Sequence, residues 1–281
     1  MIKTFKKSIS FFAVISILVL IVFSFGGCDK SVGNLQYRST SGGFMVTHCF
    51  NKSGETVIDI PAEINGKPVV EVADFGVVNA DQAITIKICK NIKKIGKWAF
   101  TNNQNLKEFT VDKDNPWFTA ADGVLYSKDM KTLLFYPPAK DVMGSEKELV
   151  SFDIPTGVET IRSKAFYKCG KLNKITIPAG VKMIEEKAFC YDEALGNFTL
   201  PEGLLKIEKD AFSFCSALTA AEIPSTVRYI GDFAFYNDQN IKSFKVNTTE
   251  EFTAKWGKKW YPTQNSDNLA GLIIEYSKPG V

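Results

Sequence analysis

Histidine is nearly absent: the 281 residues contain one, His48. That count excludes most Ser–His–Asp triads, multi-histidine metal sites and imidazole relays. Charge of one sign is also lacking. Thirty-four Lys and Arg stand against 31 Asp and Glu, a net charge of +3 with the signs well mixed, which argues against nucleic acid as a partner. No G-x-S-x-G, P-loop, G-x-G-x-x-G or H-E-x-x-H occurs, and the six cysteines show no C-x-x-C spacing, so neither metal nor cofactor is expected. The doublets Glu185-Glu186 and Glu250-Glu251 are the remaining candidates for acid–base work, in a hydrolase. Neighbours on extended chain point apart, and no apolar pocket accompanies them, so both read as solvated surface. An enzyme is not expected.

What is present begins with a targeting segment. "MIKTFKKSISFFAVISILVLIVFSFGGCDK" opens on Lys3, Lys6 and Lys7 and runs apolar from about Ile9 to Phe25, the layout of a secretory signal. The run exceeds the ~7–15 residues usual for such signals and nears the ~17 of a membrane span, so an uncleaved anchor is the alternative. Gly26-Gly27-Cys28 resembles the lipobox of bacterial lipoproteins, with Phe25 where that pattern usually has an aliphatic. The resemblance implies cleavage before Cys28 and acylation of it.

The rest is dominated by a repeat. Ala-Phe occurs at Phe100, Phe166, Phe189, Phe212 and Phe235, the last four 23 residues apart, and the first gap is one copy plus 43 residues. Asp74-Phe75 reads as a degenerate further copy. Twelve residues before the Phe stand Ile88, Ile154, Ile177, Leu200 and Ile223, and five before it stand Ile95, Ile161, Ile184, Ile207 and Ile230. Each copy reads L-x-x-Φ-x-Φ-P-x-x-V-x-x-I-x-x-x-A-F, where Φ is apolar. The alternating Φ-x-Φ marks a short strand with one buried face, which the proline ends. One copy cannot hide its own apolar face, so copies must stack. The expected fold is a β-rich repeat solenoid, with short parallel strands stacked in a right-handed coil and the Phe column as the spine of one continuous core.

"LNKITIPAGVKMIEEKAFCYDEAL" resembles the BspA-like leucine-rich repeat proteins of bacterial surfaces, and the resemblance extends from about Tyr37 to the C-terminus. The chain is thus expected to divide into a signal (1–28), a polar tether (29–36), an N-terminal cap with the first strand (37–70), repeats (71–246) and a C-terminal cap (247–281). In the cap, two strands flank Asn51 to Gly54, a loop "NGKP" follows, and His48 is structural. In the last segment, Thr248 or Thr249 caps a helix and Leu272 to Tyr276 forms a closing strand. Three residues after the Phe stand Asn103, Cys169, Asp192, Cys215 and Asp238; the resemblance implies that this column turns inward to bond backbone. Cys169 and Cys215 lie two copies apart, at ~4.8 Å per stacked strand, beyond the ~7 Å a disulfide allows, and read as buried thiols. Cys49, Cys89 and Cys190 lack a clear partner.

The insertion, at about 112–150, contains Val124 to Tyr126 and Thr132 to Tyr136, read as a hairpin projecting from the solenoid. Its aromatics Trp117, Phe118, Tyr126, Phe135 and Tyr136 either form a contact surface or, the favoured reading, cover the hairpin against its neighbours. The candidate binding face is the exposed strand position, Lys87, Thr110, Asp153, Thr176, Thr199, Glu222 and Lys245, expected as one row. The expected function is a non-enzymatic, lipid-anchored surface protein, exported and facing the outside, that binds an extracellular or host-matrix protein. The resemblance implies matrix partners such as fibronectin and fibrinogen. The alternative is a carbohydrate-binding or envelope-structural lipoprotein, with Trp117, Trp256, Trp260 and Tyr261 as sugar platforms.

Overall fold

Copies spaced by 23 residues are joined coil to coil by short parallel strands. The computed structural model describes residues 30–50, 54–143, 148–248, 250–253, 256–257, 259–262 and 272–276; the signal segment and Cys28 lie outside the described residues. Strands Thr160–Ile161, Met183–Ile184, Lys206–Ile207 and Tyr229–Ile230 pair in parallel, aligning Ile161, Ile184, Ile207 and Ile230. A second set carries the Φ-x-Φ segments: Val57–Asp59 with Thr85–Ile88 and Glu108–Val111, Val150–Asp153 with Leu172–Thr176, and Ala220–Ile223 with Ser243–Val246 and Ile273–Tyr276.

Between the two sets the chain turns a corner around the Phe. Two residues before it, Lys164, Lys187, Asp210 and Phe233 have φ of 55–61°; two residues after it, Lys168, Tyr191, Phe214 and Asn237 have φ of 61–67°. These paired left-handed residues aim the Phe inward and their own side chains outward. The Phe amides donate to alanine carbonyls one coil on, Phe166 to Ala188 and Phe189 to Ala211 at 2.8 Å and Phe212 to Ala234 at 2.7 Å. The rings stack at 4.8, 5.1 and 5.2 Å from Phe166 through Phe189 and Phe212 to Phe235, within 11° of parallel. That spacing is the separation of neighbouring strands in a sheet, so one ring per coil fills the core without a gap.

The column three residues on is buried. Asp192 Oδ1 accepts the Cys169 amide at 2.7 Å, and Asp238 Oδ1 accepts the Cys215 amide at 2.6 Å. Asp192 thus separates Cys169 from Cys215, and the five described cysteines are free.

Four expectations are corrected. Phe75 is 45% exposed; the true member of the Phe column is Val77, fully buried, whose amide donates to the Ala99 carbonyl at 2.9 Å. Val72 pairs with Ile95, which sets the register two residues later than Asp74-Phe75 suggests.

The insertion does not project. Phe118–Ala121, Val124–Ser127 and Thr132–Phe135 form an antiparallel meander whose last strand pairs in parallel with Thr160–Ile161. Tyr136 takes the place of a Phe, its amide donating to the Ala165 carbonyl at 2.8 Å and its ring stacking on Phe166 at 5.1 Å.

The meander also divides the core in two. Leu125, Leu134 and Phe135 pack with Phe100 on the N-terminal side, while Val124, Tyr126, Leu133 and Tyr136 pack with Phe166 on the other. Phe100 therefore meets Phe109 and Phe135, at 5.1 and 5.3 Å, rather than the stacked column. Across this seam Arg162 donates to the Ile95 carbonyl at 2.7 Å, and the Lys164 ammonium lies 4.5 Å from the Trp98 ring centre and 4.6 Å from that of Tyr167.

The expected tether is strand: Lys30–Val32 pairs antiparallel with Leu35–Thr40 through a turn at Gly33, φ 61°. The two strands expected around Asn51 to Gly54 are Gly43–Cys49 and Val57–Asp59, which join different sheets. The cap's tight hairpin lies in the expected NGKP loop, at Asn65-Gly66, with φ of 51° and 74°, the doubly left-handed turn that Asn-Gly favours.

Candidate binding surface

All seven residues of the expected row are exposed, but they do not form one row. Lys87 aligns with Thr110, Asp153 with Thr176, and Glu222 with Lys245, in three separate sheets. The insertion interrupts the row after Thr110. Thr199 lies outside any strand, because Asn197 replaces the ladder there. Its Oδ1 accepts the Thr219 amide at 2.9 Å, and its Nδ2 donates to Thr219 Oγ1 at 2.8 Å. Three of the row's four charges are also met: Lys245 binds Glu222 at 2.7 Å, and Lys87 lies 4.0 Å from Asp59, outside the row. Exposed pairs of this kind contribute about 0–1 kcal/mol and leave little charge for a partner.

A better surface lies at the corner, where the left-handed residues point outward. Tyr191 and Phe214 stack there at 4.4 Å and 11°, and Phe214, Phe233 and Tyr236 continue edge to face at 5.7 and 5.4 Å. All four rings are half-buried. They line a groove of about 370 Å³ with Lys187 and Asp210. Lys187 bonds Asp210 at 2.8 Å and Glu186 at 3.1 Å. Burial pulls its ammonium down, and the two carboxylates outweigh that, holding it above the usual lysine range. Lys164, one coil away, is lowered by burial and then by Lys187 and Lys168. The Cys190 thiol on the groove floor is pushed up to about 11 by burial, which makes it inert rather than nucleophilic.

The left-handed backbone makes the aromatics here unusual. Any residue with a Cβ loses roughly 1–2 kcal/mol in that conformation, which asparagine offsets by local hydrogen bonding. Asn79, Asn102 and Asn237 occupy the same turn position in other coils. Tyr191 and Phe214 stand where other coils have asparagine or, at Lys168, lysine, so the turn itself does not call for an aromatic ring. The replacement of Asn by Tyr and Phe in one column was the signal in the sequence.

Other nominated groups have structural duties. Glu185 Oε2 accepts the Ser163 amide at 3.0 Å, and Glu186 binds Lys187. His48 is exposed, edge-on to Phe50 at 5.0 Å. Trp256 and Trp260 are 5% exposed and close the core beside Phe244, so they are not sugar platforms. Of the insertion's aromatics only Trp117 is exposed, at 43%.

The family model for the BspA-type leucine-rich repeat region matches residues 45–126 and 143–255, in six copies. The chain belongs to the BspA-type leucine-rich repeat family. The match stops at 126 and resumes at 143, leaving out Thr132–Phe135, the strand by which the meander enters this BspA-type array. No curated protein sequence matches. Among solved structures, a leucine-rich repeat protein of Eubacterium ventriosum is similar at TM-score 0.56 and 17% identity, covering 78% of this chain and 77% of the other. The pneumococcal vaccine antigen PcpA is similar at TM-score 0.50 and 17% identity, covering 90% of this chain and 88% of the antigen. At these identities the likeness is one of fold. It agrees with the stacked coils of a BspA-type solenoid.

Proposed function

We propose that this BspA-type protein is a non-enzymatic bacterial surface protein, exported and held to the membrane by lipid on Cys28, that binds a protein partner through its corner aromatics. The observation carrying this reading is the ridge of Tyr191, Phe214, Phe233 and Tyr236, half-exposed beside Lys187 and Asp210. Tyrosine, aromatic and arginine anchors dominate the energetics of protein interfaces, and a rigid array presents these rings already ordered. The positively charged start, apolar run and Gly26-Gly27-Cys28 support the anchor.

A tagged full chain in detergent, tested against purified matrix and envelope proteins, checks the binding role. Tyr191→Ala with Phe214→Ala is expected to weaken capture by about 30-fold or more, the effect of losing interface anchors of 2 kcal/mol or more. Equal capture by the variant contradicts the assignment, and binding to a glycan array that depends on Trp117 reverses it in favour of a sugar ligand. In cells fed labelled fatty acid, Cys28→Ala is expected to lose the label; unchanged labelling removes the anchor from the account.

A further inference from the structure

A cavity of about 430 Å³ opens beside the corner groove, on the side nearer the N-terminus, with walls that include Gln104, Pro138, Val142, Lys168 and Lys171. Tyr191 lines both the cavity and the groove. A ligand lying across the coils therefore meets the cavity first and then the rings of Tyr191 and Phe214.

The two regions differ in charge. In the groove, Lys187 is met by both Asp210 and Glu186 and needs no further anion. In the cavity, two lysines stand against the one carboxylate of Glu193 among the described lining residues. The Lys168 ammonium has no carboxylate partner among the described residues; it lies over the rings of Tyr167 and Tyr191, at 5.4 and 5.9 Å from their centres. Lys164, on the same coil, is likewise held by rings, those of Trp98 and Tyr167. Burial lowers the Lys164 ammonium, and the like charges of Lys187 and Lys168 lower it further. Lysines taken part-way out of water are ordinarily paired. Here two half-buried ammonium groups on one coil meet ring faces and each other's charge, and the counter-ion is missing.

A small inorganic anion would use the ammonium groups and leave the rings idle. A purely apolar segment would use the rings and leave the ammonium groups unpaired. An acidic side chain on a chain that also carries an aromatic one uses both. The spacing fixes how far apart the two must be. Lys168 and Phe214 hold the same turn position two coils apart, where successive core rings are 4.8 and 5.1 Å apart. Three residues of polyproline II rise roughly 9 Å, which spans that interval, and aromatic-lined grooves take this stiff conformation at low entropic cost. We propose that cavity and groove together bind a proline-rich extended segment of a partner protein, with an acidic side chain entering the cavity at Lys168 and an aromatic side chain three residues along lying on Phe214. The inference rests on the protein-binding reading and gives the partner its chemistry.

The test uses the full chain in detergent and a fluorescent proline-rich peptide of about nine residues, with a glutamate and a phenylalanine three apart. This peptide is expected to bind, and its glutamine counterpart, equal in shape but uncharged, to bind at least ~10-fold more weakly. Lys168→Asn gives this turn the residue type found at Asn102 and Asn237, so the fold is kept and the thermal midpoint serves as the check. The variant is expected to weaken the glutamate peptide by a similar factor and to leave the glutamine peptide unchanged. A peptide with the phenylalanine moved next to the glutamate is expected to bind more weakly than the original. Equal binding of the glutamate and glutamine peptides, no binding of either, a loss on Lys168→Asn that both peptides share, or indifference to the spacing overturns the proposal. Heparin binding that Lys168→Asn abolishes, with no peptide bound, overturns it in favour of a polyanionic glycan. If the peptides fail while Tyr191→Ala with Phe214→Ala still weakens capture of a protein, the cavity assignment falls and the corner ridge stands; if that double variant captures as well as the wild type, both fall.

Discussion

Phe189→Ala is expected to destabilise the protein by about 3–5 kcal/mol, the cost of emptying a well-packed aromatic site. Phe189 is fully buried between Phe166 and Phe212, at 4.8 and 5.1 Å and within 8° of parallel to each. Truncation removes its burial and both stacking contacts, worth about 0.5–1.5 kcal/mol each beyond area. The site cannot collapse readily, because backbone bonds one coil to either side fix the spacing: Phe166 donates to Ala188 and Phe189 to Ala211. Urea unfolding of the variant measures the loss from the shift in midpoint. A change below about 1 kcal/mol is what a merely half-buried ring gives, and it contradicts the stacked column.

Replacing Asp192 and Asp238 with asparagine is expected to do the reverse, stabilising the protein at neutral pH by about 1–3 kcal/mol per site. Both carboxyls are fully buried, each accepts one amide, and the second oxygen of each is without a partner. Asn103 shows what the position favours. Its Oδ1 accepts the Ala80 amide at 2.8 Å while its Nδ2 donates to the Val77 and Phe100 carbonyls at 2.8 and 3.0 Å. A carboxylate supplies no such donor, and burial raises both Asp192 and Asp238 well above the ordinary range, the Cys169 and Cys215 amides offsetting it only in part.

The sign follows from which state holds the proton. In the unfolded chain these groups ionise near about pH 3.9, and in the folded chain they hold the proton to higher pH. Their contribution is complete below the unfolded value and is lost as pH rises through the folded one. Urea midpoints of the wild type should therefore fall from pH 4 towards pH 8, and the double asparagine variant should lose most of that slope. A variant less stable than wild type at pH 7, or one with an undiminished slope, contradicts the assignment of these carboxyls.

The repeat was legible because Ile161, Ile184, Ile207, Ile230 and the Phe column keep one period, and a period of buried residues is what stacking produces. The exposed strand position was legible for the same reason, since alternation assigns Lys87, Thr176 and Lys245 to the outer face. The insertion was not, because Leu133-Leu134-Phe135-Tyr136 and Val124-Leu125-Tyr126 are apolar without alternation. A strand buried on both faces reads that way, and this one separates two cores rather than covering one. The strand Lys30–Val32 escaped notice because an edge strand in a cap has no apolar face to display. The corner ridge depends on backbone dihedrals that hydrophobic pattern does not report; only the exchange of Asn for Tyr191 and Phe214 in one turn column hinted at it.

The most direct measurement of the stacked coils is amide hydrogen exchange, resolved residue by residue by NMR. The amides of Phe166, Phe189 and Phe212, each bonded to an alanine in the next coil, are expected to be among the slowest in the protein, exchanging only on global unfolding, while the amide of Thr199, outside the ladders, exchanges far sooner. Fast exchange of the three Phe amides, at the rate of exposed turns, would mean that the coils do not lie against one another.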